Sequence, residues 1–435
     1  MQYADPRARS MNIIDEAQVE AILASGLGKI GPAGKRILAL VPDRTRTAPV
    51  GRMVKALHRI LHDLGAELDV MVALGTHPPL SREAMLNHLD LSEEAYAASY
   101  ADMGLFNHRW DDDESLTAIG EIPADLISQL TDGLMAETVK IRVNRMALTY
   151  DHILILGPVF PHEVAGFSGG NKYLFPGISG PEFIDFFHWL GAVITNLKII
   201  GVMDNPVRRV LDQAAALMPV PVSNISLVVH EGDLVGLYVG SPIESWRQAV
   251  AESAKQHVVY KRRTFKRVLS CAPLMYEDLW TGGKCMYKLE PVVADGGELI
   301  IYAPHISSLS LTHGHIIEKI GYHVRDYYFK QPERFADIPK AVMAVSTYIR
   351  GSGVYENGLE KPRINVSLAT GIPQEVCEKV GLRYVDPAGI DFSEWRSREE
   401  DGILLVEKAG EILYLPRASL SDRRVSYEGN TSSRS

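Results

Sequence analysis

The hydrophobic pattern of the chain starts with a short apolar run, Arg36-Ile37-Leu38-Ala39-Leu40-Val41, closed by Pro42-Asp43. A run of that length ending in a turn signal reads as a buried strand. From about Val50 to Leu64 the period changes, and Met53, Leu57, Ile60 and Leu61 recur at helical spacing. A second apolar run, Leu68 to Leu74, leads into Gly75-Thr76-His77. Strand, helix, strand in that order is the unit of a parallel sheet. Further strands are read at Ile153 to Leu156, Leu197 to Val202 and Ile225 to Val229, and helices at Pro206 to Leu217 and Glu244 to His257.

The alternation pauses at a basic run, Lys261, Arg262, Arg263, Lys266 and Arg267, which reads as a solvated linker. It then restarts with a strand at Val268 to Ala272, a helix near Leu289 to Ala294 and a strand at Leu299 to Ala303. A strand at Ile364 to Ala369 and a helix at Pro373 to Val380 follow. Gly402 to Lys408 and Glu411 to Pro416, split by Ala409-Gly410, read as a closing hairpin. The expected fold class is α/β, with mostly parallel sheets in two domains, residues 1–265 and 266–416. Residues 417–435 are polar and Ser/Arg-rich and are expected to form a loose tail. A chain of 435 residues also exceeds one ordinary core.

Composition narrows the function class. With 45 basic and 54 acidic side chains the net charge is −9, which argues against broad nucleic-acid binding, since that needs positive surface for phosphate. Cys271, Cys285 and Cys377 form no CxxC pair, so neither a zinc knuckle nor a disulfide scaffold is supported. The N-terminal residues hold no apolar secretory core, and no stretch of 18 apolar residues suggests a membrane span. A cytoplasmic protein, without membrane or nucleic-acid partners, is expected.

Polar clusters sit where open α/β sheets bind ligands, beyond the carboxyl ends of strands. They are Asp43-Arg44-Thr45-Arg46, Gly75-Thr76-His77 and Pro161-His162. Asp43 and Arg46 are either a charged turn or part of an anion site, because a guanidinium offers a planar fork to a carboxylate. His77 is either a loop residue capping the helix that starts near Ser81 or a general acid/base. The densest segment is Pro161-His162-Glu163-Val164-Ala165-Gly166-Phe167-Ser168-Gly169-Gly170-Asn171-Lys172, followed by Pro176-Gly177. Its glycines permit close backbone approach, and its amides, around Ser168, Gly169 and Gly170, suit a phosphate. It is not a P-loop, since Lys172 precedes Tyr173 rather than Ser or Thr. Lys172 is either a surface lysine on a turn or a group for phosphate or covalent chemistry. His188, in an apolar helix beginning near Pro181, is either a core histidine or a metal ligand. Lys284, in Trp280-Thr281-Gly282-Gly283-Lys284, is either a solvated lysine or a second cation for an anion. Asp111 to Glu114 reads as a solvated acidic loop rather than a cation site; His108 has no assigned role. No G-x-G-x-x-G follows a strand, which disfavours a nicotinamide dehydrogenase.

Taken together these segments resemble the lactate racemase family, whose members use a nickel-pincer nucleotide. The resemblance runs from about Asp43 to Lys284. The family's His–Gly-rich–Lys segment matches His162 through Gly177, and its nickel-ligand histidine falls sixteen residues after the lysine, at His188. Its Asp-x-x-Arg matches Asp43 and Arg46, and its Gly-Thr-His matches Gly75, Thr76 and His77. The resemblance implies a racemase or epimerase of a 2-hydroxy acid, acting by hydride transfer through a 2-keto acid. It implies pyridinium-3,5-bisthiocarboxylic acid mononucleotide nickel held as a thioamide on Lys172, with His188 on the metal. Ser168, Gly169 and Gly170 would line this cofactor. His77 and His162 would be the acid/base pair, Arg46 and Lys284 would hold the carboxylate, and Asp43 would support the site. Accessory enzymes that make the cofactor are implied as partners. Where the family carries Tyr-Gln before the second-domain lysine, this chain has Trp280-Thr281; those positions line the substrate space, so an acid other than lactate is expected. The segment Thr347 to Glu360 has no match. Because Lys284 lies beyond the domain boundary, the site is expected in the interdomain cleft. Two other readings stay open: a sugar-acid epimerase with the same cofactor, and a non-catalytic nickel- or nucleotide-binding protein.

Overall fold

The computed structural model describes residues 12–419. Residues 420–435 of the expected tail lie outside it; Arg417–Ser419 form a 3-10 turn.

Six strands form the first sheet. Its spatial order is Asp233–Gly240, Val222–His230, His152–Pro158, Arg36–Val41, Glu67–Val72, Leu105–Asn107. All neighbours run parallel except the Asp233–Gly240 edge, which pairs antiparallel with Val222–His230. Successive side chains of a strand point to opposite faces, and here both faces are covered. Ile37, Ala39 and Val41 pack with Val19, Leu23 and Leu27 of the Glu16–Gly28 helix and Met53 and Leu57 of the Val50–Asp63 helix. Leu38 and Leu40 face a second core with Ile153, Ile155, Phe183 and Phe187. Burial on both faces is why these strands read as continuous apolar runs rather than alternating ones.

The second sheet runs Arg383–Tyr384, Asn365–Thr370, Val293–Ala303, Phe265–Cys271, Ile403–Val406, parallel throughout. One of its faces, with Val268, Leu299, Ile301, Val366 and Leu404, joins the same core as Leu38 and Leu40. The mixed α/β class with mainly parallel sheets is therefore what the chain forms. The helix Pro181–Ile194 packs against the helix Lys340–Arg350. Across that contact the Tyr348 hydroxyl donates to the His188 carbonyl at 2.9 Å, and Asp185 accepts from the Ala341 amide at 3.0 Å.

Four expectations about elements are corrected. Leu197 to Val202 is no strand: Asn196–Ile199 is a helical turn, entered by Thr195 at φ 87°. An apolar run this short carries no period to separate the two. Leu289 to Ala294 is no helix: Glu290–Val292 is one 3-10 turn, and the chain is extended from Val293. Ile403–Val406 and Leu413–Pro416 are strands but not a hairpin. The first pairs parallel with Phe265–Cys271 and the second parallel with Val258–Lys261. The basic run is solvated, as expected, but is not simply a linker. Lys261 ends one strand and Lys266 and Arg267 begin another, with Lys261 and Arg263 bonded to Glu399 and Glu400.

Candidate functional site

Three neighbouring parallel strands, His152–Pro158, Arg36–Val41 and Glu67–Val72, end side by side. The segments after them meet in one cleft. It is lined by Asp43, Thr45 and Arg46, by Gly75, Thr76 and His77, and by His162, Glu163, Ser168, Gly169, Lys172 and Tyr173. His188 closes it from the Pro181–Ile194 helix; Trp280, Thr281, Lys284, Tyr287 and Tyr348 come from the later half of the chain. The space between these walls is ≈ 960 Å³, counting the part open to solvent, the scale of a cleft for a whole cofactor rather than a three-carbon acid alone.

Asp43 and His77 form a dyad: Nδ1–H of His77 donates to Oδ2 of Asp43, while Oδ1 accepts from the amide and hydroxyl of Thr45 at 3.0 and 2.7 Å. Burial alone would raise the Asp43 carboxyl, but the charge and hydrogen bond of His77, with Lys284 behind, hold it far below the carboxylate range. In the neutral ring the bond to Nδ1 leaves Nε2 of His77 with its lone pair, the form a general base needs. His77 does not cap the nearby helix; Ser81 does, accepting from the Ala84 amide.

The His162 segment is a tight hairpin, Pro161–His162 against Gly166–Phe167, followed by a 3-10 turn over Gly170–Tyr173. Gly166 has φ 76°, and a Cβ there would run into the Val202 carbonyl. Gly169 has φ 86°, and its Cβ would meet Val159 at 2.7 Å. These glycines let the loop press into the core and carry Lys172 to the cleft. Burial, then the nearby Arg46, pushes the Lys172 amine down to about 8. His162 is buried, and burial followed by Lys172 and Arg46 holds its imidazole well below 6.5.

His188 donates from Nδ1 to the Ile184 carbonyl at 2.7 Å, which fixes the tautomer and leaves Nε2 as a free donor atom for a metal. Burial, opposed only by that hydrogen bond, lowers it to about 4, so the ring is neutral. Lys284 is 5% exposed and gives Nζ to the Thr45 carbonyl at 3.1 Å; burial and Arg46 push its amine well down. Arg46 has an Nη1 without a partner. A buried arginine with an orphaned donor, beside a buried lysine amine, is suited to a carboxylate or phosphate anion.

One sequence candidate stands apart, and the hydroxyl of another is already occupied. Gly170 does not line the cleft; it packs beneath Pro242 and Trp246. The Ser168 hydroxyl is occupied within the loop, donating to the Pro158 carbonyl and accepting from the Phe160 amide. His108 is buried elsewhere, between the Ser179 carbonyl and the Asn144 amide. The acidic loop is spent on arginines: Asp111 binds Arg109 and Asp113 binds Arg142. Residues that sequence reasoning did not place here are Glu163, Tyr173, Tyr287 and Tyr348 on the wall and Lys288 behind it. Lys288 is 1% exposed, donates to the Glu411 carbonyl and is lowered by burial to about 7. Its place four residues after Lys284 was the available signal. A second cleft shares His77, Thr76, Trp280 and Thr281 with the first and continues past Met275, Leu311 and His313. Among the described residues no helix is long and apolar enough to cross a membrane, and no group of three His, Cys, Asp or Glu side chains could hold a metal.

Residues 1–198 match the lactate racemase N-terminal domain family. Lactate racemase of Lactiplantibacillus plantarum is 29% identical over 212 residues, and that of Thermoanaerobacterium thermosaccharolyticum is 24% identical over 212. Each match covers 47% of this chain and 44% of the relative, so the chain spans less than half the length of these curated relatives. A crystal structure of a protein from Thermotoga maritima superposes with TM-score 0.85 at 30% identity, covering 92% of this chain and 98% of that one. The lactate racemase apoprotein of T. thermosaccharolyticum shares the fold, with TM-score 0.70 at 17% identity over 91% of this chain and 92% of that one. Residues 1–198 therefore belong to the lactate racemase N-terminal domain family, and nearly the whole described length shares the fold of these two structures.

Proposed function

We propose that the chain is an isomerase that inverts the α-carbon of a 2-hydroxy acid, using a nickel-pincer nucleotide tethered to Lys172. The observation that carries this reading is the single cleft lined by His77, His162, Arg46, Lys284, Lys172 and His188 together.

The residues present fit such a group. Lys172, lowered to about 8, is an amine with a substantial neutral fraction near pH 8, as thioamide formation requires. His188 offers one prepared nitrogen, and no protein cluster among the described residues could hold a bare ion. His188 would be the chain's ligand to the nickel, and Lys172 would hold the rest of the group. When bound, this group supplies the hydride acceptor that no side chain here can provide.

The chain's own residues supply the rest. Arg46 and Lys284 hold the substrate carboxylate, and their charge offsets its repulsion of an anion forming at the adjacent oxygen. Nε2 of His77 takes the hydroxyl proton while Asp43 keeps Nδ1–H in place. His162 serves the opposite enantiomer from the other face, so each histidine is base in one direction and acid in the other. The product of losing both hydrogens is a planar 2-keto acid; inversion requires it to turn within the cleft so that the hydrogen returns to its opposite face. The cleft that continues past Trp280 toward Leu311 and His313 favours an acid with a longer chain than lactate. A sugar-acid epimerase remains the second reading on that same observation. Loading the protein with cofactor and following inversion at Cα by chiral chromatography across lactate, aliphatic, aromatic and sugar acids tests it. Preference for lactate over all others would contradict the substrate claim.

A further inference from the structure

His162 is held in a form that opposes its use as a base. Its Nδ1 accepts from the Val164 amide at 3.1 Å and from the Ala165 amide at 3.4 Å. A ring nitrogen that accepts carries no proton, so the neutral ring has its hydrogen on Nε2. In that tautomer the other nitrogen has no lone pair with which to take a proton. His77 differs, because Asp43 fixes the proton on its Nδ1.

Glu163 stands where Asp43 would stand for this second histidine. Its Oε2 lies 3.3 Å from Nδ1 of His162, outside hydrogen-bonding alignment. That oxygen is shielded from solvent and has no hydrogen-bond partner at all. A buried carboxylate oxygen left unpaired is costly unless another state of the protein uses it.

We propose that Glu163 is a positioning residue that converts His162 from a donor to a base. A small turn of the ring moves Nδ1 from the two backbone amides to Oε2; the ring gives up its Nε2 proton to water in the cleft and takes one from water at Nδ1, so that Nδ1–H donates to the carboxylate and Nε2 presents its lone pair. The hydroxyl O–H bond of the substrate then breaks toward Nε2, an N–H bond forms there, and the electron pair stays on the substrate oxygen. The resulting imidazolium lies among Lys172, Arg46, Lys288 and His188, all of which disfavour it; the Glu163 carboxylate offsets them. Two carboxylate–imidazole pairs, Asp43–His77 and Glu163–His162, would serve the two enantiomers.

This inference rests on the proposed racemase reading, and its test separates the two. Protein labelled with 15N-histidine and free of cofactor is compared with Glu163→Gln, the His162 signals being identified by their loss in His162→Gln. While the ring is neutral, the wild type is expected to populate the form protonated at Nδ1, and Glu163→Gln to stay unprotonated there. Glu163→Asp, which keeps the charge but withdraws it by one methylene, is expected to fall between and serves if the Gln variant does not fold. The same Nδ1 state in wild type and variants overturns the proposal. In loaded enzyme, Glu163→Gln should lower kcat about 10²–10⁴-fold, the worth of a positioned acid/base. KM should change little, because Arg46 and Lys284 still hold the carboxylate. Unchanged kcat would overturn it too, whereas an inactive loaded wild type would overturn the racemase reading and leave the tautomer result standing.

Discussion

At the scale of single residues the sharpest consequence concerns Lys172. Its folded pKa is about 8 against 10.5 for a free lysine, with burial as the main cause. The unfolded chain therefore binds the proton more tightly, and between about pH 8 and 10.5 stability attributable to this group rises with pH. Below pH 8 the folded state bears the full cost of the buried charge. Labelling of the cofactor-free protein with a small amine-directed reagent, read by peptide mass, should show Lys172 reacting with a midpoint near pH 8. A midpoint near that of an exposed lysine would contradict the account. Lys172→Ala should carry no covalent cofactor when produced with the cofactor-making enzymes, which an intact mass decides. His188→Ala should lose nickel while its melting temperature stays within a few degrees of wild type. A core histidine would give the opposite, lost stability with nickel unaffected.

At the scale of elements, the clearest requirement is the hairpin that carries His162. Gly166→Ala sets a side chain at positive φ against the Val202 carbonyl. Strain of this kind costs of order 1–3 kcal/mol, so thermal unfolding should show a clear loss of stability; an unchanged melting temperature would mean that the loop relaxes freely. The parallel strands and the three polar strand ends were legible because a doubly covered strand must be apolar throughout and a site must lie at its carboxyl end. The misread elements share one physical feature. Leu197 to Val202 and Leu289 to Ala294 are segments of six residues, too short for period 2 or period 3.6 to leave a mark. Ile403–Val406 and Leu413–Pro416 were recognised as strands, but their partners, Phe265–Cys271 and Val258–Lys261, lie more than a hundred residues away. Ala409-Gly410 looks the same in a hairpin as in a crossing between sheets. In the site, Asp43, Arg46, His77, His162, Lys172, His188 and Lys284 were readable as spaced polar residues. Tyr348 was not, because its place on the wall depends on the Lys340–Arg350 helix packing against Pro181–Ile194, a contact that no local pattern encodes.

At the scale of the whole molecule, the cleft is built from both halves of the chain, and its integrity depends on contacts between distant segments. Tyr348→Phe removes the hydroxyl that donates to the His188 carbonyl; a hydrogen bond of this kind is worth about 1 kcal/mol. The variant is expected to fold, to lose a few degrees of thermal stability at most, and to retain nickel less well than wild type in a dialysis series. Equal retention would mean that the second half of the chain does not hold the His188 helix in place.

The central claim is that a group bound at Lys172 and His188, with His77 and His162, inverts a 2-hydroxy acid. The most direct measurement is chiral chromatography of a panel of 2-hydroxy acids incubated with protein whose intact mass shows full loading at Lys172. The account predicts interconversion of the configurations at Cα for at least one acid. It also predicts a loss of about 10²–10⁴-fold in both directions for His77→Ala and for His162→Ala, with loading intact. Fully loaded protein that leaves every acid in its starting configuration, or wild-type rates in either histidine variant, would contradict it.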